Sequence, residues 1–262
     1  MTPTWTFPFG QPVRRVVQTD RAPKRVFVLG VYASAVHACW KEPNNKTIVK
    51  ALAVASEPYI FWRGDNAEAI IQQITMPQEL GKLSPANRQY NGPSGIALNE
   101  LILKPLGLGC TDVWLCDLVP HSCVNELQKA AINRTYSGIA ESHGLARHTV
   151  PPVPLPLTDE IRRREILDEL HESGASTLIL LGDKPIKWFL RYFDDRWKRL
   201  ADFGRENESY GRLQRTCIDG KEIAVLPLAH PRQIAKLGRS SVIWYNLHQA
   251  WVGNYAGKVL KS

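Results

Sequence analysis

The sequence predicts an α/β protein. The expected form is one domain over 1–262, with a central four-stranded, mostly parallel sheet, helices on both faces, and an inserted hairpin or extended segment. Three observations carry this. Four short runs rich in Val, Ile and Leu have the length of strands and the uniform apolarity of strands buried on both faces. Helical patterns fall between and after them, as a doubly wound sheet requires. The 262 residues, 44% apolar and 22% charged, suit a globular chain with a sizeable core.

The four expected strands are VFVLG (26–30), VWLCDL (113–118), TLILLG (177–182) and IAVLPLA (223–229). SGIALNELILK (94–104) reads as a helix. A second runs from Asp159 to about Glu172 and stops at Gly174, which suits a C-cap. A third spans 183–200. Asp183 is its expected cap, Pro185 is tolerated in its first turn, and Ile186, Phe189, Leu190, Phe193 and Trp197 recur at helical spacing. The last, 240–252, starts at Ser240 or Ser241 and puts Trp244, Leu247 and Trp251 on one face. Residues 1–24 are an N-terminal extension. The segment 36–62 is an insertion, with a hairpin or extended excursion around Asn44-Asn45. PPVPLP (151–156) is a stiff connector inside the domain.

The net charge of +8 favours an anionic partner, nucleic acid before a membrane surface. No segment approaches the roughly 18 apolar residues of a membrane span, and the N-terminus lacks the apolar stretch of a secretory signal. Five cysteines without a CxxC pair read as reduced thiols of a cytoplasmic protein. Cys110, Cys116 and Cys123 have no trusted metal-binding spacing and are expected to pack as small apolar groups. Neither a metal, a cofactor nor an obligate protein partner is expected.

At the ends of the four strands fall Gly30, Asp117, Gly182 and His230. With RQYNGPSGIALNELI (88–102), VWLCDLVP (113–120), TLILLG and LPLAHPRQIAKLGR (226–239), they resemble the uracil-DNA glycosylase superfamily in order and spacing over about 25–252. The resemblance implies a base-flipping DNA glycosylase, and the chemistry asks for certain parts. Tyr90 supplies an aromatic face for the extruded base. Gly92, Ser94 and Gly95 supply backbone donors for phosphates at a helix start. His230 donates to the departing base. Ile234 takes the place of the wedge that fills the vacated stack, and Arg232, Lys236 and Arg239 hold the DNA backbone. Each has a plainer alternative: a tight turn, a satisfied histidine, a core isoleucine, a solvated basic face.

Three departures from the family pattern shape the specificity. Aligned on Gly30, the position that orients the attacking water is Tyr32, whose hydroxyl is left to do this; Glu57 is an alternative base. Ser34 stands where strict uracil enzymes carry a bulky aromatic, which opens space beside the pyrimidine C5. Asp117 replaces the usual Asn. A carboxylate accepts from the cytosine amino group and faces uracil O4 with repulsion, while a protonated acid donates to N3. The expectation is a glycosylase for a 5-substituted cytosine, hydroxymethylated or glucosylated, of foreign phage DNA. A uracil repair enzyme and a non-catalytic nucleic-acid-binding protein remain open alternatives.

Overall fold

The computed structural model describes residues 5–237 and 241–261. Their eight strands are β1 Val26–Tyr32, β2 Ala35–Lys41, β3 Thr47–Ser56, β4 Lys82–Pro85, β5 Val113–Val119, β6 Thr177–Leu181, β7 Gln214–Ile218 and β8 Lys221–Leu228. The chain divides into two compact units. One comprises 1–16, 32–93 and 120–154; the other comprises 17–31, 94–119 and 155–262. Neither is continuous in sequence.

The second unit is α/β. Its sheet has five strands in the order β5-β1-β6-β8-β7. All four expected strands are present, and β1, β6 and β8 run parallel. The fifth strand, β7, corrects the expected count of four. It pairs antiparallel with β8 through Asp219 and Gly220, whose positive φ values of 49° and 78° make the two-residue turn that Asp-Gly favours. β5 is buried at every residue, as its apolar run foretold. The helix Glu160–Ser173 packs on it; the Asp159 side chain accepts from the Arg162 N–H, and Gly174 closes the helix at φ 65°.

The expectation for the third helix changes. The third helix is only Asp183–Trp188, followed by separate single turns at Leu190–Tyr192 and Leu200–Phe203. Asp183 caps nothing locally; its Oδ1 accepts from the Leu200 N–H at 2.8 Å. Ile186, Phe189 and Leu190 are buried as expected. The last helix is Val242–Asn254, capped by the Ser241 hydroxyl.

The first unit contains the antiparallel sheet β3-β2-β4. The expected hairpin around Asn44-Asn45 joins β2 to β3, and Asn45 takes the left-handed conformation at φ 67°. Its core gathers Phe7, Trp40, Val54, Trp62 and Tyr136. The Tyr136 hydroxyl, buried among them, accepts from the Phe9 N–H and donates to the Ala146 carbonyl. Among the described residues, no helix is long and apolar enough to cross a membrane.

Candidate functional site

In the second unit, the strand ends assemble much as the sequence indicated. Gly182 donates its N–H to the Leu228 carbonyl at 2.8 Å and lies directly against His230. A Cβ on Gly182 would come within 3.1 Å of His230 Cβ, and its φ of 83° also demands glycine. His230 follows β8 and caps the short helix Pro231–Ile234. Its Nδ1 accepts from the Arg232 backbone N–H at 3.2 Å, and the His230 backbone N–H donates to Gln233 Oε1 at 3.3 Å. Burial, helped by the Arg232 charge, lowers the imidazole to about 4. The ring is therefore neutral at pH 7. With Nδ1 accepting, the proton belongs to Nε2, which is left as a hydrogen-bond donor.

Asp117 lies at the same edge of the sheet, beside the end of β1, where its carboxyl accepts from the Val31 N–H. It is only 4% exposed. Burial raises it to about 7, against the lowering influence of Arg162 and the Val31 bond. The carboxyl is thus poised between accepting and donating near neutral pH. Sheet order puts three strand steps between Asp117 and His230, roughly 14 Å of backbone separation. Gly30 is buried in β1 between them in strand order.

Side chains alternate along β5, so Trp114 and Cys116 face away from Asp117. On their side lies Arg162. Its guanidinium donates to the Asp117 carbonyl at 2.6 Å, the Leu118 carbonyl at 3.1 Å and the Glu165 carboxylate at 2.8 Å. Glu169 stands 3.6 Å from the same guanidinium and accepts from Trp114 Nε1 at 3.1 Å. This support was not anticipated from the sequence.

Ile234 requires a correction. It is fully buried, so it is a core residue of the His-Pro turn and does not project as a wedge. The exposed apolar pair nearby is Val242 and Ile243, 70% and 58% exposed, at the start of a helix packed on Pro231–Ile234. Lys236 is exposed and places Nζ 3.8 Å from the Tyr245 ring, which ties this turn to the same helix. Arg232 is exposed. Arg239 lies outside the described residues. Ser94 and Gly95 lie in a helix of six residues, Pro93–Leu98; Gly95 is buried and Ser94 half-buried.

In the first unit, Tyr90 is 38% exposed, with its ring 6.5 Å from that of His37. Asn91 locks its loop to β2, accepting from the His37 N–H at 2.8 Å and donating to the His37 and Ala86 carbonyls. Gly92 is forced by packing: at φ 71°, a Cβ would strike the Arg63 and Gly64 backbone at 2.3 Å. Tyr32 is 42% exposed, Ser34 is half-buried with its carbonyl accepting from the Ser122 hydroxyl, and Glu57 is buried just after β3. All five cysteines are free thiols. Among the described residues, no three His, Cys, Asp or Glu side chains cluster as metal ligands.

The chain matches no protein-family model and no curated protein. The site's own residues offer a neutral imidazole donor and a buried, near-neutral carboxyl at the carboxyl ends of the strands.

Proposed function

We propose that this chain is a DNA glycosylase of the uracil-DNA glycosylase type that excises a 5-substituted cytosine. The observation that carries the reading is the state of His230. Its Nδ1 is occupied by the Arg232 amide, and its Nε2–H is free to meet an acceptor at the sheet edge that also holds Asp117. In the proposed reaction the C1′–N1 bond breaks and its electron pair passes to the base, where charge gathers on O2. Nε2–H of His230 stabilises that oxygen. Water adds to C1′, leaves the sugar abasic, and its proton goes to the base or solvent. Asp117 accepts from the cytosine N4 amino group when ionised and donates to N3 when protonated; the ionised state disfavours uracil, whose O4 it would face. Val242 and Ile243 replace Ile234 as the apolar side chains that fill the vacated stack.

Incubating the protein with matched DNAs containing cytosine, uracil, 5-hydroxymethylcytosine or glucosylated hydroxymethylcytosine tests this. Abasic sites are expected only in the last two, and none with His230→Ala. Release from uracil would make it a repair enzyme. One observation favours a second reading: Tyr32 stands in place of a water-orienting carboxylate, which suits a protein that binds nucleic acid without cutting it. Binding with no abasic product from any of these DNAs would select that reading.

A further inference from the structure

Behind His230 lies a chain of buried polar groups whose two side chains, Tyr210 and His248, belong to none of the motifs above. It starts from a proline. The helix Pro93–Leu98 continues as a π-helical turn, Asn99–Leu103, and Pro105 just beyond it has no N–H to offer the Leu101 carbonyl. His248, in the last helix and fully buried, supplies a donor: its Nε2 is 2.8 Å from the Leu101 oxygen. A carbonyl only accepts, so Nε2 carries hydrogen. Burial lowers this imidazole to about 4, so Nδ1 bears a lone pair. The Tyr210 hydroxyl lies 2.9 Å from Nδ1 and therefore donates to it. The same oxygen accepts from the Ala229 N–H at 3.0 Å. Ala229 is the residue before His230.

Every hydrogen in this chain thus has one direction, from Ala229 to Tyr210, to His248, to Leu101. Tyr210 itself cannot shift easily. Gly211 beside it has φ 66°, a Cβ there would meet the Trp251 ring at 2.5 Å, and Trp251 Nε1 donates to the Gly211 carbonyl at 2.9 Å. On the other side of His230, Gly182 leaves no slack.

We propose that Tyr210 and His248 are positioning residues that hold the Ala229–His230 backbone so that the His230 imidazole keeps its aim at the leaving base. The role at the base rests on the glycosylase reading; the hold on His230 does not. A small misplacement of a reacting group costs on the order of a hundredfold in rate. Tyr210→Phe, which removes only the hydroxyl, is therefore expected to lower kcat about 10- to 100-fold while KM for DNA stays within about twofold.

The control is Tyr136→Phe, which deletes an equally buried, doubly bonded hydroxyl in the first unit. It should leave kcat unchanged. Nitrogen-15 spectra of the histidine rings give a second readout that needs no activity. His248 should appear as the Nε2–H tautomer, and the His230 resonances should move in Tyr210→Phe and stay put in Tyr136→Phe. Unchanged His230 resonances with unchanged kcat would overturn the proposal. So would a His248 carrying its proton on Nδ1 in the native protein, a measurement that stands even if Tyr210→Phe fails to fold. If the native protein releases no base from any DNA, the glycosylase reading falls, and the ring spectra still decide whether Tyr210 holds His230.

Discussion

The two residues proposed to act on the base rest on opposite kinds of support. Under Asp117 lies a charged cluster, Arg162 with Glu165 and Glu169, bonded to the strand carbonyls. Behind His230 lies a neutral chain, Tyr210 and His248, bonded to the strand amide. A buried charge reaches through the backbone and bears on the titration of its neighbour; a neutral hydroxyl fixes position and leaves the charge state alone. Burial, moderated by Arg162, leaves Asp117 where either protonation state is accessible near neutrality, and burial with the Arg232 charge leaves His230 where only one is.

Breaking the charged support should cost the most. Arg162→Met strands Glu169 in the interior, and a loss of about 3–5 kcal/mol is expected in urea unfolding. Adding Glu169→Gln, which keeps an acceptor for Trp114, should recover part of it; no recovery would mean that the pairing is not what Arg162 contributes. Next comes His230→Ala, expected to lower kcat about 100- to 1,000-fold with DNA binding largely intact. A loss confined to binding would move His230 from the chemistry to the interface.

Asp117→Asn separates the two supports by pH. Folded Asp117 keeps its proton up to about 7, while the unfolded chain releases it near 3.8. Between those values the native state holds the extra proton, so native stability declines as pH rises from about 4 to 7 and stays lower above. The Asn variant lacks this decline and should gain in melting temperature over the native protein across that window. His230 has the opposite slope. Its folded value of about 4 lies below the usual 6.5, so its contribution climbs with pH between the two, equally in both proteins. If Asp117 reads the base, the same substitution shifts preference toward uracil. The native pH–rate profile then bends near 7: upward if the carboxylate accepts from the amino group, downward if the acid donates. The smallest effect is expected at Arg232, where Ala should reduce the slope of log affinity against log salt by about 1.

Much of this was readable in the chain because burial leaves a strong mark. The four expected strands carry continuous apolar runs, and the helix ending at Gly174 carries both its caps. β7 escaped because it is half-exposed, with Thr216 and Ile218 inward and Arg215 and Cys217 outward. The Asp219-Gly220 pair was nonetheless a legible hairpin signal. The 183–200 helix failed through tertiary bonds: Asp194 is held by Thr216 and Arg196, and Asp183 by Leu200. A stripe at helical spacing serves separate turns as well as one helix. Ile234 was misplaced because a loop motif does not say which way a four-residue helix turns. Tyr210 and His248 were invisible because their partners lie 38 and 147 residues apart in sequence.

The chain passes between its two units at 16–17, 31–32, 93–94, 119–120 and 154–155. β1 finds its partner β6 only across some 150 residues, with Val28 opposite Ile179. Most of the first unit's sequence lies inside that loop. Closing so long a loop adds little to the equilibrium cost, since that cost grows only with the logarithm of length. It weighs heavily on the rate, because the central sheet must wait for distant segments to meet. No single cut releases either unit whole. A nick at 154–155, where Leu155 is exposed, would leave β5 and β1 on one piece and β6, β8 and β7 on the other, dividing the sheet between β1 and β6.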